Sequence, residues 1–263
     1  MHNIPLESLS LNYKIVGQGM PVIILHGLFG MLDNWMNIAK KLEAKGYMAL
    51  LIDQRDHGRS PHTLSFTYTD LANDLHQFMD TNWIHEAILI GHSMGGKTGL
   101  EFVKEYESMV SKLIIVDIGI KRYDGHHSEV FQALFDINIE NLKSREDAYN
   151  IMSKRLLDEG TVQFLMKNLT RNKDGGYEWK MNLPLLYENY QNILASIDFT
   201  HSCDTKTLFV RGGRSNYIKD SDWPEISHVF PNARLTTIQN AGHWVHADQP
   251  IELFDAIIDF IEE

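Results

Sequence analysis

The chain has a single cysteine, Cys203, among 263 residues. It therefore has no intrachain disulfide, which fits a reducing compartment or simple indifference to one. It lacks any apolar run near the roughly 20 residues needed to cross a bilayer. Its opening, "MHNIPLESLS", lacks the basic and apolar regions of a secretory signal. The expectation is a cytoplasmic protein with no membrane insertion. Positive charge is also scarce: 24 Lys and Arg stand against 35 Asp and Glu, for a net charge of −11. There is no basic tract or stripe, so a nucleic-acid backbone finds no electrostatic footprint here. H-E-x-x-H and paired C-x-x-C are absent too, and no metal is expected. The sequence does not speak to oligomeric state.

Apolar material is plentiful. With 43% hydrophobic residues, the chain can bury a sizeable core. The runs "PVIILHG", "YMALLID", "EAILIGH" and "KLIIVDIG" are continuous rather than alternating, the pattern of parallel strands covered on both faces. Amphipathic stretches separate them: "NWMNIAKKLEAKG", which Gly46 would end, then "TYTDLANDLHQFMDTNW" and "TGLEFVKEYESMV". Strand–helix repetition predicts a doubly wound, mostly parallel α/β sheet with right-handed crossovers. "SLNYKIVGQG" alternates and predicts an antiparallel edge strand. From about Ile120 the rhythm stops. "SEVFQALFDIN", "REDAYNIMSKRLL", "TVQFLMKNL" and "LLYENYQNILASI" predict helices, with "RNKDGGYEWKMNLP" as a turn-rich break. Strand and helix signals resume at "TKTLFVRGG", and "PIELFDAIIDFIEE" is the last helix. The division expected is a core of residues 1–119 and 201–263, interrupted by a helical insertion over 120–200.

The segment "ILIGHSMGGKTGL" puts four glycines around Ser93 where a strand should turn into a helix. Glycine in a helix costs about 1 kcal/mol against alanine, so the glycines need a cause. A G-x-S-x-G nucleophile elbow supplies one: the serine is held on a strained turn, and a Cβ at Gly91 or Gly95 would press on the neighbouring strand or helix. Gly96 and Gly99 would let the helix lie close to the sheet.

With "HGLFG" after an early strand, "DQRDHGRS" after the next and "NAGHWVHADQP" before the last helix, the chain resembles the α/β-hydrolases over essentially its whole length. It is similar in particular to the small bacterial YbfF-type acyl esterases. The resemblance implies the α/β-hydrolase fold with a helical cap inserted after the sixth strand. It also implies a serine hydrolase that cleaves carboxylic esters of small to medium acyl chains, with no cofactor. Its catalytic residues would be Ser93, His243 as base and Asp117 as acid. The acid commonly follows the "TLFVRGG" strand, but that position holds Ser215; Asp220 and Asp222 lie further on, so they remain alternatives. Ser215 would then hydrogen-bond the Asp117 or His243 side chain. The oxyanion donors would be the N–H groups of Met94 and Leu28, with Phe29 the alternative to Leu28, and Phe29 and Trp244 would line the substrate pocket. His26 would brace its loop, and Arg55 and Ser60 would tie loops together. In the insertion, Phe131, Phe135, Phe164, Leu165, Met166 and Tyr187 are expected mainly to pack, and its basic residues and "DGHHSE" to face solvent.

Three other readings stand beside this one. Acyl thioesters would be cleaved by the same residues. A non-catalytic ligand receptor would use the same fold. The stretch from Gly91 to Thr98 also satisfies G-x-x-x-x-G-K-[ST], in which Lys97 would reach phosphates and Thr98 a magnesium ion.

Overall fold

The aliphatic runs form strands that pair into one sheet. In the computed structural model, which describes residues 9–263, the first half of the chain contains β1 (Tyr13–Val16), β2 (Met20–Leu25), α1 (Met36–Ala44), β3 (Tyr47–Ile52), α2 (Tyr68–Thr81), β4 (Ala87–His92), α3 (Met94–Glu105) and β5 (Val110–Val116). After a long insertion come β8 (Thr207–Gly212), α9 (Trp223–Val229), β9 (Ala233–Ile238), the short α10 (Val245–Asp248) and α11 (Pro250–Glu262). The first eight residues, which carry most of the opening read above for a secretory signal, lie outside the described residues.

Among the described residues the main sheet has seven strands in the order β1-β3-β2-β4-β5-β8-β9. β1 pairs antiparallel with β3 and sits at the edge, while the other pairs are parallel. Helices cover both faces. Val22, Ile24, Ile88, Ile90 and Ile114 pack under α1 and α11, whereas Ile23, Leu25, Leu89, Leu113 and Ile115 pack under α2 and α3. Burying each such side chain contributes at most about 2–3 kcal/mol. Local signals agree: Thr67 caps α2 by accepting from Asp70 N–H at 3.1 Å, and Asp70 returns the bond to Thr67 N–H.

The insertion contains α4 (Ser128–Phe135), α5 (Arg145–Ser153), α6 (Glu159–Met166), β6 (Leu169–Arg171), β7 (Tyr177–Trp179), α7 (Leu183–Glu188) and α8 (Tyr190–Ile193). Two expectations are corrected here. The "RNKDGGYEWKMNLP" stretch is not only a turn: β6 and β7 pair antiparallel across it, Arg171 opposite Tyr177. The insertion also leaves the sheet after the fifth described strand, not the sixth. Its core is continuous with the α2/α3 side of the sheet, since Phe131, Leu134, Leu165 and Leu186 belong to the same buried cluster as Phe29 and Met94. No described helix is long and apolar enough to cross a membrane.

Candidate active site

β4 ends at His92 and α3 begins at Met94, so the whole turn is one residue, Ser93. Its backbone sits at φ +52°, ψ −118°, a sparsely populated conformation that costs about 1–3 kcal/mol. Packing enforces it. A Cβ on Gly91 would run into the Gly95 carbonyl, and one on Gly95 would lie 2.6 Å from the His26 carbonyl. β4 and α3 can close on so tight a bend only with glycine at both positions.

Asp117 follows β5, also at a positive φ of 52°, and is fully buried. Its Oδ1 accepts from Gly212 N–H at 2.9 Å. Its Oδ2 faces His243 Nδ1 at 2.8 Å and also accepts from the Ser215 hydroxyl. His243, on the loop between β9 and α10, places Nε2 3.0 Å from Ser93 Oγ. The structure thus brings Ser93, His243, Asp117 and Ser215 into one hydrogen-bonded line. Asp220 and Asp222 stand outside it. Asp220 is exposed and pairs with Arg211 at 2.7 Å, and Asp222 holds Lys121 at 2.5 Å and Lys219 N–H at 2.8 Å.

The loop after β2 turns between Gly27 and Gly30, with Gly30 N–H donating to Gly27 O at 2.9 Å and Phe29 at φ +60°. Among the described residues no protein acceptor takes the N–H of Leu28, Phe29 or Met94. His26 braces this loop. Burial lowers its pKa to about 4, so the ring is neutral. Its Nε2 accepts from Gln54 N–H at 3.1 Å, which leaves Nδ1–H to donate to Gly27 O at 2.8 Å. Gln54 in turn donates to His26 O and accepts from Thr98 Oγ1, both at 2.7 Å.

These contacts overturn the phosphate-loop reading. A single-residue turn has no loop of N–H groups to cradle phosphates. Thr98 is buried and bonded to Gln54, and buried Lys97 donates to Lys121 O at 2.7 Å and to Ala195 O. Both side chains serve packing: Thr98 supports the Leu28 loop, and Lys97 ties the two ends of the insertion. In "DQRDHGRS", Asp53 accepts from Leu32 N–H, Arg59 N–H and Asn12 Nδ2, and Asp56 from Thr63 and Asn182. Arg55 holds Asp74 through two nitrogens at 2.6 and 2.8 Å, and Ser60 Oγ donates to Asp53 O at 2.5 Å.

A cleft opens over Ser93. The core lines it with Leu28, Phe29 and Trp244, and the insertion with His127, Val130, Phe164 and Leu165. Phe164 packs on Trp244 at 5.2 Å and Phe131 packs on Phe29 from behind, also at 5.2 Å. Met166 is buried, while Phe135 and Tyr187 pair with each other at 5.2 Å, partly exposed. The arginines of the insertion, and Lys121, are tied down: Lys121 on Asp222, Arg122 on Gln191, Arg145 on Leu169 O and Met166 O, Arg155 on Asp136 and Arg171 on Gly175 O.

Sequence reasoning missed two groups. Tyr217 stacks on His243, and no local pattern marks it beyond its place two residues after Ser215. His127 lies in "DGHHSE", read above as a solvent-facing helix start. That reading fails for His127, which is drawn into the cleft, and holds for exposed His126.

Comparison with known proteins agrees with this fold. A family model described as alpha/beta hydrolase fold matches residues 20–250. The chain is 34% identical to Esterase YbfF of Escherichia coli over 92% of its own length and 93% of the relative's. It is 35% identical to the sn-1-specific diacylglycerol lipase ABHD11 of Danio rerio, covering 94% of this chain and 80% of that one. A solved structure described as a marine microorganism esterase superposes with a TM-score of 0.94 at 38% identity, covering 96% of this chain and 100% of the other. With its fold, its serine elbow and these relatives in agreement, the chain belongs to the alpha/beta hydrolase family.

Proposed function

We propose that this protein is a serine hydrolase that cleaves carboxylic esters of small to medium acyl chains through an acyl-enzyme. The observation that carries this reading is the contact of His243 Nε2 with Ser93 Oγ at 3.0 Å on a strained turn. A serine hydroxyl is a weak nucleophile until a base within hydrogen-bond reach takes its proton. His243 is that base. Asp117 holds its ring through Nδ1–H and stabilises the imidazolium that forms. Ser215, donating to the same carboxylate, keeps Asp117 aligned. Ser93 attacks the acyl carbon, and the N–H groups of Met94 and Leu28 receive the developing oxyanion; one such donor is typically worth about 3–4 kcal/mol. His243 then protonates the leaving alcohol. Water, activated by the same imidazole, attacks the acyl-enzyme and releases the acid.

Residues 120–200 act as a cap over this chemistry, and Phe29, Trp244 and Phe164 form the acyl pocket. The modest apolar cleft supports small to medium chains, and no Lys or Arg among the described residues lines it, which argues against bulky polyanionic leaving groups. The site of action is the cytoplasm. The test is a chain-length series of chromogenic acyl esters and acyl thioesters on wild type and Ser93→Ala, with fluorophosphonate labelling. Ester turnover and labelling that both vanish in Ser93→Ala are expected. Turnover that survives the substitution, or thioesters strongly preferred at every length, would overturn the reading.

A further inference from the structure

Several polar side chains line the cleft, and ester hydrolysis as outlined gives no part to one that the insertion contributes, the imidazole of His127. It stands at the start of α4, on the insertion, and lines the cleft with Leu28, Phe29, Ser93 and His243. Its protonation pattern follows from a count of hydrogens. The Tyr190 hydroxyl accepts the backbone N–H of His126 at 3.2 Å and of His127 at 3.1 Å. Two acceptances fill the lone pairs of that oxygen. Its own proton must go to its remaining neighbour, His127 Nδ1, at 2.7 Å. Nδ1 is therefore an acceptor. Burial and the nearness of His243 lower the pKa of His127 to about 4, so near neutral pH the ring carries one hydrogen, and it lies on Nε2. No protein group among the described residues takes that hydrogen.

We propose that His127 Nε2–H is a substrate-binding donor for a second oxygen of the substrate, outside the scissile ester group. The inference rests on the esterase reading given above. Apolar side chains stand around His127: the Phe29 ring lies 6.2 Å away between centroids, steeply inclined to it, and Val130 and Leu165 line the same cleft, where the Thr161 hydroxyl already donates to Asp158. A fixed donor in such a wall discriminates sharply. A ligand that supplies an acceptor pairs it, whereas an all-hydrocarbon ligand buries it unpaired, a loss larger than one missing methylene produces. The ring, held as the Nε2–H tautomer by Tyr190, cannot accept a hydrogen bond at that atom. The ligand class is therefore an ester with an ether, carbonyl or hydroxyl oxygen elsewhere in its acyl or alcohol part. A donor-only group such as an ammonium does not fit.

The test compares matched esters in which one oxygen replaces one methylene. On the acyl side the pair is p-nitrophenyl methoxyacetate and p-nitrophenyl butanoate; on the alcohol side it is 2-methoxyethyl acetate and butyl acetate. The readout is the ether-to-methylene ratio of kcat/KM, which cancels any common loss. In His127→Phe that ratio is expected to fall about tenfold in one of the pairs, the size of one lost hydrogen bond. In Tyr190→Phe, which frees the tautomer, it falls in the same direction by less. Ratios unchanged in both pairs overturn the proposal, because a merely structural His127 lowers all four rates alike. A second measurement needs no turnover. In 15N-labelled Ser93→Ala protein, His127 should show a protonated Nε2 and a bare Nδ1 near neutral pH, and 2-methoxyethyl acetate or the methoxyacetate should move the Nε2 signal more than its methylene partner does. The opposite tautomer, or equal movement with both members of both pairs, refutes the assignment whether or not the protein hydrolyses esters. Wild-type inactivity on all four esters would instead refute the esterase reading.

Discussion

The ring of Tyr217 lies flat on the imidazole of His243, with centroids 3.8 Å apart and planes 13° apart. The stack limits the ring to rotation about its own normal, and the bonds to Asp117 and Ser93 set that remaining angle. An aromatic face also favours a cation by about 0.5–2 kcal/mol, which suits an imidazolium formed during turnover. Tyr217→Leu should lower kcat about tenfold with little change in KM, and Tyr217→Phe should keep most of the activity. Steady-state kinetics beside thermal melts check this; equal loss in both variants would assign the effect to the hydroxyl instead.

The carboxylate partner is tested by comparison. Asp117→Asn should drop kcat by about 10⁴-fold, the scale seen when the orienting acid of such a triad is neutralised. Ser215→Ala removes one of three bonds to Asp117 and should cost about tenfold. Asp220→Asn and Asp222→Asn should stay within about twofold, because neither touches His243. A large loss confined to either downstream variant would move the acid there.

Acid should destabilise the protein through its buried imidazoles. Burial lowers the pKa of His26 to about 4 and those of His57 and His246 to about 3, and holds His92 well below its ordinary value. Unfolded, each returns to about 6.5. Between those values the unfolded chain binds more protons than the folded one, so stability is fully present above about pH 6.5 and declines as pH falls toward about 4. Denaturant melts across that window should show the decline, with net proton uptake on unfolding. A flat profile would mean these rings are not buried neutral.

The elbow makes a sharper demand. Gly95→Ala places a methyl group against the carbonyls of Leu25 and His26. The backbones of β2 and α3 must separate to admit it, at a cost of about 3 kcal/mol or more. A melt should show a large drop in Tm, with loss of fluorophosphonate labelling at Ser93. Gly175→Ala, on the exposed turn between β6 and β7 with open space around it but a φ of +85°, should lose far less. Similar losses at both positions would deny the close approach.

Much of this was legible in the chain because it is written locally. Continuous aliphatic runs become strands covered on both faces, and the "SLNYKIVGQG" alternation becomes the antiparallel edge. The glycines around Ser93 report a steric constraint between residues only a few positions apart. What was not legible depends on partners far along the chain. The "RNKDGGYEWKMNLP" hairpin is held by three residue pairs and has too short an apolar pattern to announce itself. Lys97 and Thr98 fit a phosphate motif as letters, and only their burial shows that they are occupied elsewhere.

By itself the sequence determined the strand rhythm, the one-residue turn at Ser93 and the place of a histidine before the last helix, since each follows from propensity and sterics among near neighbours. The resemblance pointed to Asp117 and left Asp220 and Asp222 open; the tertiary structure put Asp117 against His243, and it alone decided that Tyr217 lies against that ring and that His127 turns into the cleft. Those contacts join residues tens to more than a hundred positions apart, 126 in the case of Asp117 and His243. The parallel sheet brings its strand ends to one edge, and no local pattern encodes which side chains meet there.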